Sequence, residues 1–199
     1  YMSKVEQTTT LIAMEYERTK KDLRIALQQE FSENFKEWDA ELLSDMTIRF
    51  KNPEILFNTG SDKIRFKFKQ VLDNFIPRYI NIITSQKFKN SIKEIRIEGH
   101  TSTFWANAPT ALDAYFRNMK LSQARTRSTL EYILKSNITK KNELWLKEKL
   151  TANGLSSSRP IIEKKNIINE EASQRVEFRI VTNAEEKLSS IAQSLSKKQ

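Results

Sequence analysis

The chain has 199 residues, enough to bury one sizeable core but not two full domains, and its 38% hydrophobic and 30% charged content is a globular balance. Thirty-four basic against twenty-five acidic side chains give a formal charge of +9, which favours anionic partners such as nucleic acid, acidic lipid or an anionic wall polymer without choosing among them. The lack of cysteine excludes a disulfide framework, a thiolate metal site and a cysteine nucleophile, and no apolar stretch approaches the roughly 18–20 residues that cross a bilayer.

The stretch starts abruptly at Tyr1 with no signal-peptide core, as a fragment of a longer protein does. From Val5 to Leu43 there is no Gly or Pro, and Leu11, Met14, Leu23, Leu27, Phe31, Phe35 and Trp38 recur at helical spacing. This predicts one long or two consecutive amphipathic helices, an N-terminal stalk over residues 1–44 ahead of a domain over 45–199. At Met46 the period changes to alternation, Met46, Ile48 and Phe50 against Thr47, Arg49 and Lys51, which predicts a strand. Asn52-Pro53 makes a turn, Glu54–Phe57 a second short strand, and Asn58-Thr59-Gly60-Ser61 another turn, with Ser61 placed to cap a helix over 62–84 kinked at Pro77.

Ile92 to Glu98 alternates as a strand ending at Gly99, and a polar loop with aromatics follows from His100 to Asp113. Ala114–Ser136 has the helical period, with Leu121, Ala124, Leu130, Ile133 and Leu134 as expected buried positions, and Asn142–Asn153 predicts a shorter helix closed by Gly154. Gln174–Val181 alternates as a last strand, and Glu185–Leu195 predicts a final amphipathic helix before fraying at Ser196–Gln199. The order predicts an α+β fold, a mixed sheet packed against helices on one side, with an N-terminal helical extension.

Three segments carry a family signature: Ile95-Arg96-Ile97-Glu98-Gly99-His100-Thr101, then Asn118-Met119-Lys120-Leu121-Ser122-Gln123-Ala124-Arg125, then Gln174-Arg175-Val176-Glu177-Phe178. They resemble the OmpA-like peptidoglycan-binding family, with its strand ending EGHTD, helix opening NxxLSxxRA and late strand near NRRVE. The resemblance spans about Thr47 to Val181. It implies a pocket for the free carboxylate and amine of the diamino acid in a peptidoglycan stem peptide, built here from Thr101, Ser102, Asn118, Ser122, Arg125 and Arg175. Arg125 leads this set, because a planar guanidinium grips a carboxylate through two parallel hydrogen bonds. Asn118 either caps its helix or bonds the peptide, Arg175 either lines the pocket or pairs with a neighbouring Glu, and Leu121 packs inward. The aspartate usual after GHT is Ser102 here, which removes the charge that pairs a ligand ammonium; Asp113 is the candidate substitute.

His100 stands alone as a structural histidine, so a zinc site lacks its usual ligands, and Ser122 has no histidine in its own motif to complete a nucleophilic triad. No phosphate-cradling glycine loop occurs. No catalytic residue, metal or cofactor is therefore expected.

Within the family, the long N-terminal helix and the Leu56-Phe57-Asn58-Thr59-Gly60-Ser61 turn resemble stator B subunits of the MotB type. Ser102 with Phe104-Trp105 also resembles the B subunit of Zorya-type antiphage defence systems. That resemblance implies a periplasmic wall anchor on an inner-membrane protein. Its expected partners are a second copy, paired along Leu23, Leu27, Phe31 and Phe35, and a membrane-embedded A-type motor subunit reached through an upstream segment. A wall-binding envelope protein with no motor is the nearer alternative. The distant one is a basic nucleic-acid module suggested by Arg65-Phe66-Lys67-Phe68-Lys69, whose aromatics fit a core face better, so no nucleic acid is expected as partner.

Overall fold

The computed structural model describes residues 3–197. Helix α1 (Lys4–Phe31) opens with a reciprocal capping box: the Ser3 hydroxyl accepts from Glu6 N while the Glu6 carboxylate accepts from Ser3 N. Its second half buries Leu23, Leu27 and Phe31, four residues apart and so on one face. A single turn of helix, α2 (Phe35–Trp38), ends at Asp39 in the left-handed region (φ 49°), and the chain reverses into strand β1 (Ala40–Leu42). Residues 23–42 thus supply a helix face and an edge strand to the same fold as the residues that follow. The proposed seam Leu23, Leu27 and Phe31 faces this protein's own core, with the Phe31 ring 5.2 Å from that of Phe75.

After β2 (Ile48–Phe50), residues 53–56 form a helical turn, α3 (Pro53–Leu56), where a second short strand was expected over Glu54–Phe57. The Asn52 side chain accepts from Glu54 N, and Pro53 sits at the first helical position, where its missing N–H costs nothing. Only Phe57 keeps a strand-like bridge, to Ile64. Ser61 stays in the turn, accepting from Lys63 N, and α4 (Phe66–Ile83) starts at Phe66 and continues through Pro77 as one helix.

Strand β3 (Ile92–His100) leads to α5 (Ala111–Lys135), capped by the Thr110 hydroxyl accepting from Asp113 N. Helix α6 (Glu143–Lys149) stops sooner than expected, because Leu150–Gly154 is a strand, β4, and Gly154 is not a helix cap. A small pair, β5 (Ile161–Ile162) and β6 (Ile168–Asn169), a turn of helix α7 (Glu170–Ser173), strand β7 (Arg175–Thr182) and α8 (Ala184–Ser196) complete the chain. The expected fraying at Ser196–Gln199 falls partly on residues 198–199, outside the described residues.

The main sheet has the order β1-β2-β7-β3-β4, with β3 and β4 parallel and the other neighbours antiparallel. The parallel pair needs a crossover, and α5 with α6 provides it. Phe75 on α4 is the hub of the core, with ring centroids 5.2 Å from Phe50, 5.1 Å from Phe178 and 4.8 Å from Tyr79. Arg78, one turn on, closes the end of α1. It donates to the Glu30 carboxylate and the Glu30 carbonyl, both at 2.6 Å, and to the Asn34 side chain at 3.0 Å, while its guanidinium lies 4.8 Å from the Phe31 ring centre.

The face of the sheet away from this core carries charge. Glu177 on β7 accepts from Arg175 at 2.6 Å and lies 3.5 Å from Arg49, while Glu98 on β3 accepts from Arg96 at 3.1 Å. Of the basic-aromatic run, Phe68 is core and Phe66 is 76% exposed.

Candidate functional site

Helix α5 meets the sheet on an unusual stripe. Its buried residues are Ala114, Asn118, Ser122, Thr126, Thr129 and Ile133; of the expected apolar positions only Ile133 is among them, and Leu121, Ala124, Leu130 and Leu134 are half-buried. The polar stripe is tolerated because its hydroxyls bond within the helix, Thr126 to Ser122 O and Thr129 to Arg125 O, so none is left unpaired. It is small enough for the helix to lie directly on glycine. A Cβ at Gly99 would stand 2.8 Å from Thr126 Cγ2, and one at Gly154 would stand 2.3 Å from Gln123 N.

This close seating positions the loop after β3. The buried Ser156, past β4 and in the left-handed region (φ 53°), donates from its N–H to Ser122 Oγ at 3.0 Å and accepts from Thr101 N at 2.9 Å. Asn118 donates from Nδ2 to the carbonyls of Ser102 and Phe104, both at 3.1 Å. Thr101, Asn118 and Ser122 are therefore buried and bonded to protein groups, and together they shape the 101–106 loop.

Above them lies a cleft of about 440 Å³. Thr59 and Gly60 form one wall, Thr101, Ser102, Phe104, Trp105 and Ala106 another, Asn118, Leu121 and Arg125 of α5 the floor, and Gln174 closes one end. Leu121 thus lines the cleft and does not pack inward. The Arg125 guanidinium stands over the Phe57 ring at 4.9 Å and donates from Nε to Ser61 O at 2.9 Å and from Nη2 to Asn58 O at 3.1 Å. Burial draws its pKa down to about 10, with Asp62 opposing the shift, so it stays a cation at neutral pH. Among the described residues, its Nη1 meets no acceptor.

The remaining sequence candidates scatter. Ser102 lines the cleft with a hydroxyl that makes only a long contact, 3.5 Å, to Phe104 O. Arg175 turns to the charged face, donating to Glu177, to Ser173 O at 2.9 Å and to Arg159 O at 3.0 Å, and does not line this cleft. Asp113 is spent on the start of α5, accepting from the Thr110 hydroxyl at 2.5 Å. His100 is buried with neither ring nitrogen hydrogen-bonded, and burial, aided by Arg175, Arg49, Arg159 and Arg179, holds its pKa down at about 3. No group of three or more His, Cys, Asp or Glu among the described residues is placed to hold a metal ion.

One residue that the motifs do not mark is brought in from a distance. Glu170, the first residue of α7, accepts from Thr103 N at 2.7 Å and from the Thr103 hydroxyl, joining partners 67 positions apart. Thr103 lies between two cleft residues, Ser102 and Phe104.

The sequence pattern of the OmpA family matches residues 56–175, more than half of the chain. The chain belongs to the OmpA family. The matched span of this OmpA-family domain runs from the end of α3 to the first residue of β7 and includes the whole cleft. Zorya protein ZorB of Escherichia coli is 40% identical over 183 residues, which cover 92% of this chain and 77% of that protein. Among solved structures, a putative MotB-like protein from Desulfovibrio vulgaris superposes with a TM-score of 0.55 at 20% identity, over 88% of this chain and 99% of its own. The periplasmic domain of Helicobacter pylori MotB gives 0.53 at 18% identity, over 78% and 89%. The cell wall anchor of the T6SS from Pseudomonas aeruginosa gives 0.52 at 17%, over 78% and 96%. At such identities these three establish a shared fold.

Proposed function

We propose that this protein is a non-catalytic peptidoglycan-binding anchor, the wall-facing part of a stator-type B subunit of the kind found in Zorya systems. The observation that carries the reading is Arg125: a partly buried cation at the floor of a cleft, held by two backbone carbonyls with Nη1 left for a ligand carboxylate. The ligand is the stem peptide of peptidoglycan, whose diamino acid ends in a free carboxylate. Thr101, Asn118 and Ser122 act by fixing the cleft wall, Ser102 faces the ligand, and Arg175 braces the strand beside it. The formal charge of +9 suits an anionic wall polymer.

The work done is mechanical, with no bond made or broken. The ZorB kinship supports a periplasmic domain on an inner-membrane protein, with an A-type motor subunit as the membrane partner. Pairing of two copies has the exposed Leu11 and Met14 on the first half of α1 available to it, since the second half is occupied by the core. Residues 3–31 then form the stalk proper and its clamp, with the anchor domain following.

The test is co-sedimentation with purified peptidoglycan sacculi, wild type beside Arg125→Ala, with matched circular dichroism. The wild type should pellet and the variant should stay in solution. Equal behaviour of the two would overturn the reading.

A further inference from the structure

The cleft is charged in one sense only. Among the described residues that line it, Arg125 is the sole ionisable group and none is a carboxylate. The acids closest to it are engaged elsewhere or stand outside: Glu170 accepts from the N–H and hydroxyl of Thr103, Asp113 accepts from Thr110, and Asp62, whose charge reaches Arg125, is exposed and not part of the lining. We infer that the cleft takes a carboxylate whose neighbouring nitrogen is acylated and uncharged, as at a cross-link between two stem peptides, and turns away the free amine. The inference rests on the stem-peptide reading above and names the form of the ligand that this site accepts.

In an amino acid the nitrogen and the carboxylate share one carbon, so a carboxylate held by Arg125 brings that nitrogen into the cleft with it. As an ammonium it gives up water, meets a guanidinium of like charge and finds no carboxylate in the lining to pair with. The backbone carbonyls around it are already in use: Ser102 O and Phe104 O accept from Asn118, and Asn58 O and Ser61 O accept from Arg125. As an amide the same nitrogen carries no charge and keeps a single N–H. The half-buried Ser102 hydroxyl, with only its 3.5 Å contact to Phe104 O, has lone pairs open to that N–H.

The acyl chain on that nitrogen also has a surface to cover. Phe104 is 71% exposed although it lines the cleft, and Trp105 and Leu121 are half-buried beside it, so the wall next to Ser102 offers apolar area that a free amine leaves wet. Discrimination therefore comes from both sides, a penalty on the charged form and added contact for the acylated one. An anchor with this preference grips the cross-linked, tension-bearing lattice over loose strands.

Isothermal titration calorimetry of this chain with two synthetic stem tripeptides tests it, both ending in meso-diaminopimelic acid, one with the distal amine free and one with that amine acetylated. The acetylated peptide should bind about tenfold tighter than the free one, and Arg125→Ala should weaken both. Ser102→Asp should reverse the order, tightening the free peptide and weakening the acetylated one, a swap that a merely structural role for residue 102 would not give. The inference is overturned, with the stem-peptide reading intact, if the wild type binds the free peptide as tightly as the acetylated one or more tightly, or if Ser102→Asp leaves their ratio unchanged. If the wild type binds neither peptide, the reading and the inference fall together.

Discussion

Gly99 and Gly154 stand opposite one another in the parallel pairing of β3 and β4, and both lie against the same stretch of α5, Ser122 to Thr126. The pair is a seat that only hydrogen side chains leave empty. At Gly154 the obstacle is backbone, Gln123 N at 2.3 Å and Gln123 Cα at 2.7 Å, so Gly154→Ala must lift the helix. It should cost about 3 kcal/mol, at the upper end of overpacking effects. At Gly99 the nearest obstacle is the Thr126 methyl, so Thr126→Ala should recover part of the loss from Gly99→Ala. Urea denaturation of the two single variants and the double variant measures that coupling.

Asn118 should be a residue that only an amide satisfies. Its Nδ2 serves two carbonyls, so Asn118→Ala removes one donor from each, leaving Ser102 O with the Thr101 hydroxyl and Phe104 O with only the 3.5 Å contact to the Ser102 hydroxyl, and should cost about 2 kcal/mol. Asn118→Asp should cost more, because a carboxylate places a third acceptor against those two. Thermal melts rank the variants, and faster amide exchange in residues 101–106 locates the damage.

Arg78 should decide whether the end of α1 stays docked. Arg78→Ala removes its bonds to Glu30 and Asn34 and the cation over Phe31, for a loss of about 2 kcal/mol given that the side chain is 31% exposed. Hydrogen exchange should rise over residues 23–31 before it rises over α4. Uniform acceleration across both helices would contradict a local clamp.

His100 should make the fold acid-sensitive. Its pKa is about 3 in the folded protein and near 6.5 when unfolded, so between those values the unfolded chain binds the extra proton. The stability is fully present above pH 6.5 and is lost as pH falls toward 3, by up to about 1.4 kcal/mol per pH unit from this group. Glu177, 3.4 Å from Nε2, does not reverse the sign, since Arg175 and Arg49 already engage that carboxylate. His100→Asn should flatten the pH dependence of the denaturation midpoint between 6.5 and 4.

The elements that sequence made legible are those with long periods. The strands at 48–50, 92–100 and 175–182 and the helices at 66–83 and 111–135 appear where alternation or a helical stripe places them. The misses are short and non-local. Leu150–Gly154 continues the spacing of Leu146 and ends in glycine, a helical pattern, yet the free edge of β3 turns it into a strand. Ala40–Leu42 is hidden in a helical run and becomes a strand only by pairing with β2. At the cleft, the motif brought Arg125, Asn118 and Ser122 together in advance. Their division into one cation lining the cleft and two buried braces depends on Ser156 and the 101–106 loop, which no local pattern announces, and Glu170 reaches that loop from 67 positions away.

Helix α1 is 28 residues long, about 42 Å, with its last three turns embedded in the aromatic core and α8 packed along its first half, where Lys187 stands 5.8 Å from the centre of the Tyr16 ring. A beam gripped at two places along its length cannot swivel at its support. Any tilt or twist imposed on its N-terminal end must either bend the helix, strip it from α8 or rotate the whole cleft with it, so such strain reaches the cleft as torque and is not lost in slack.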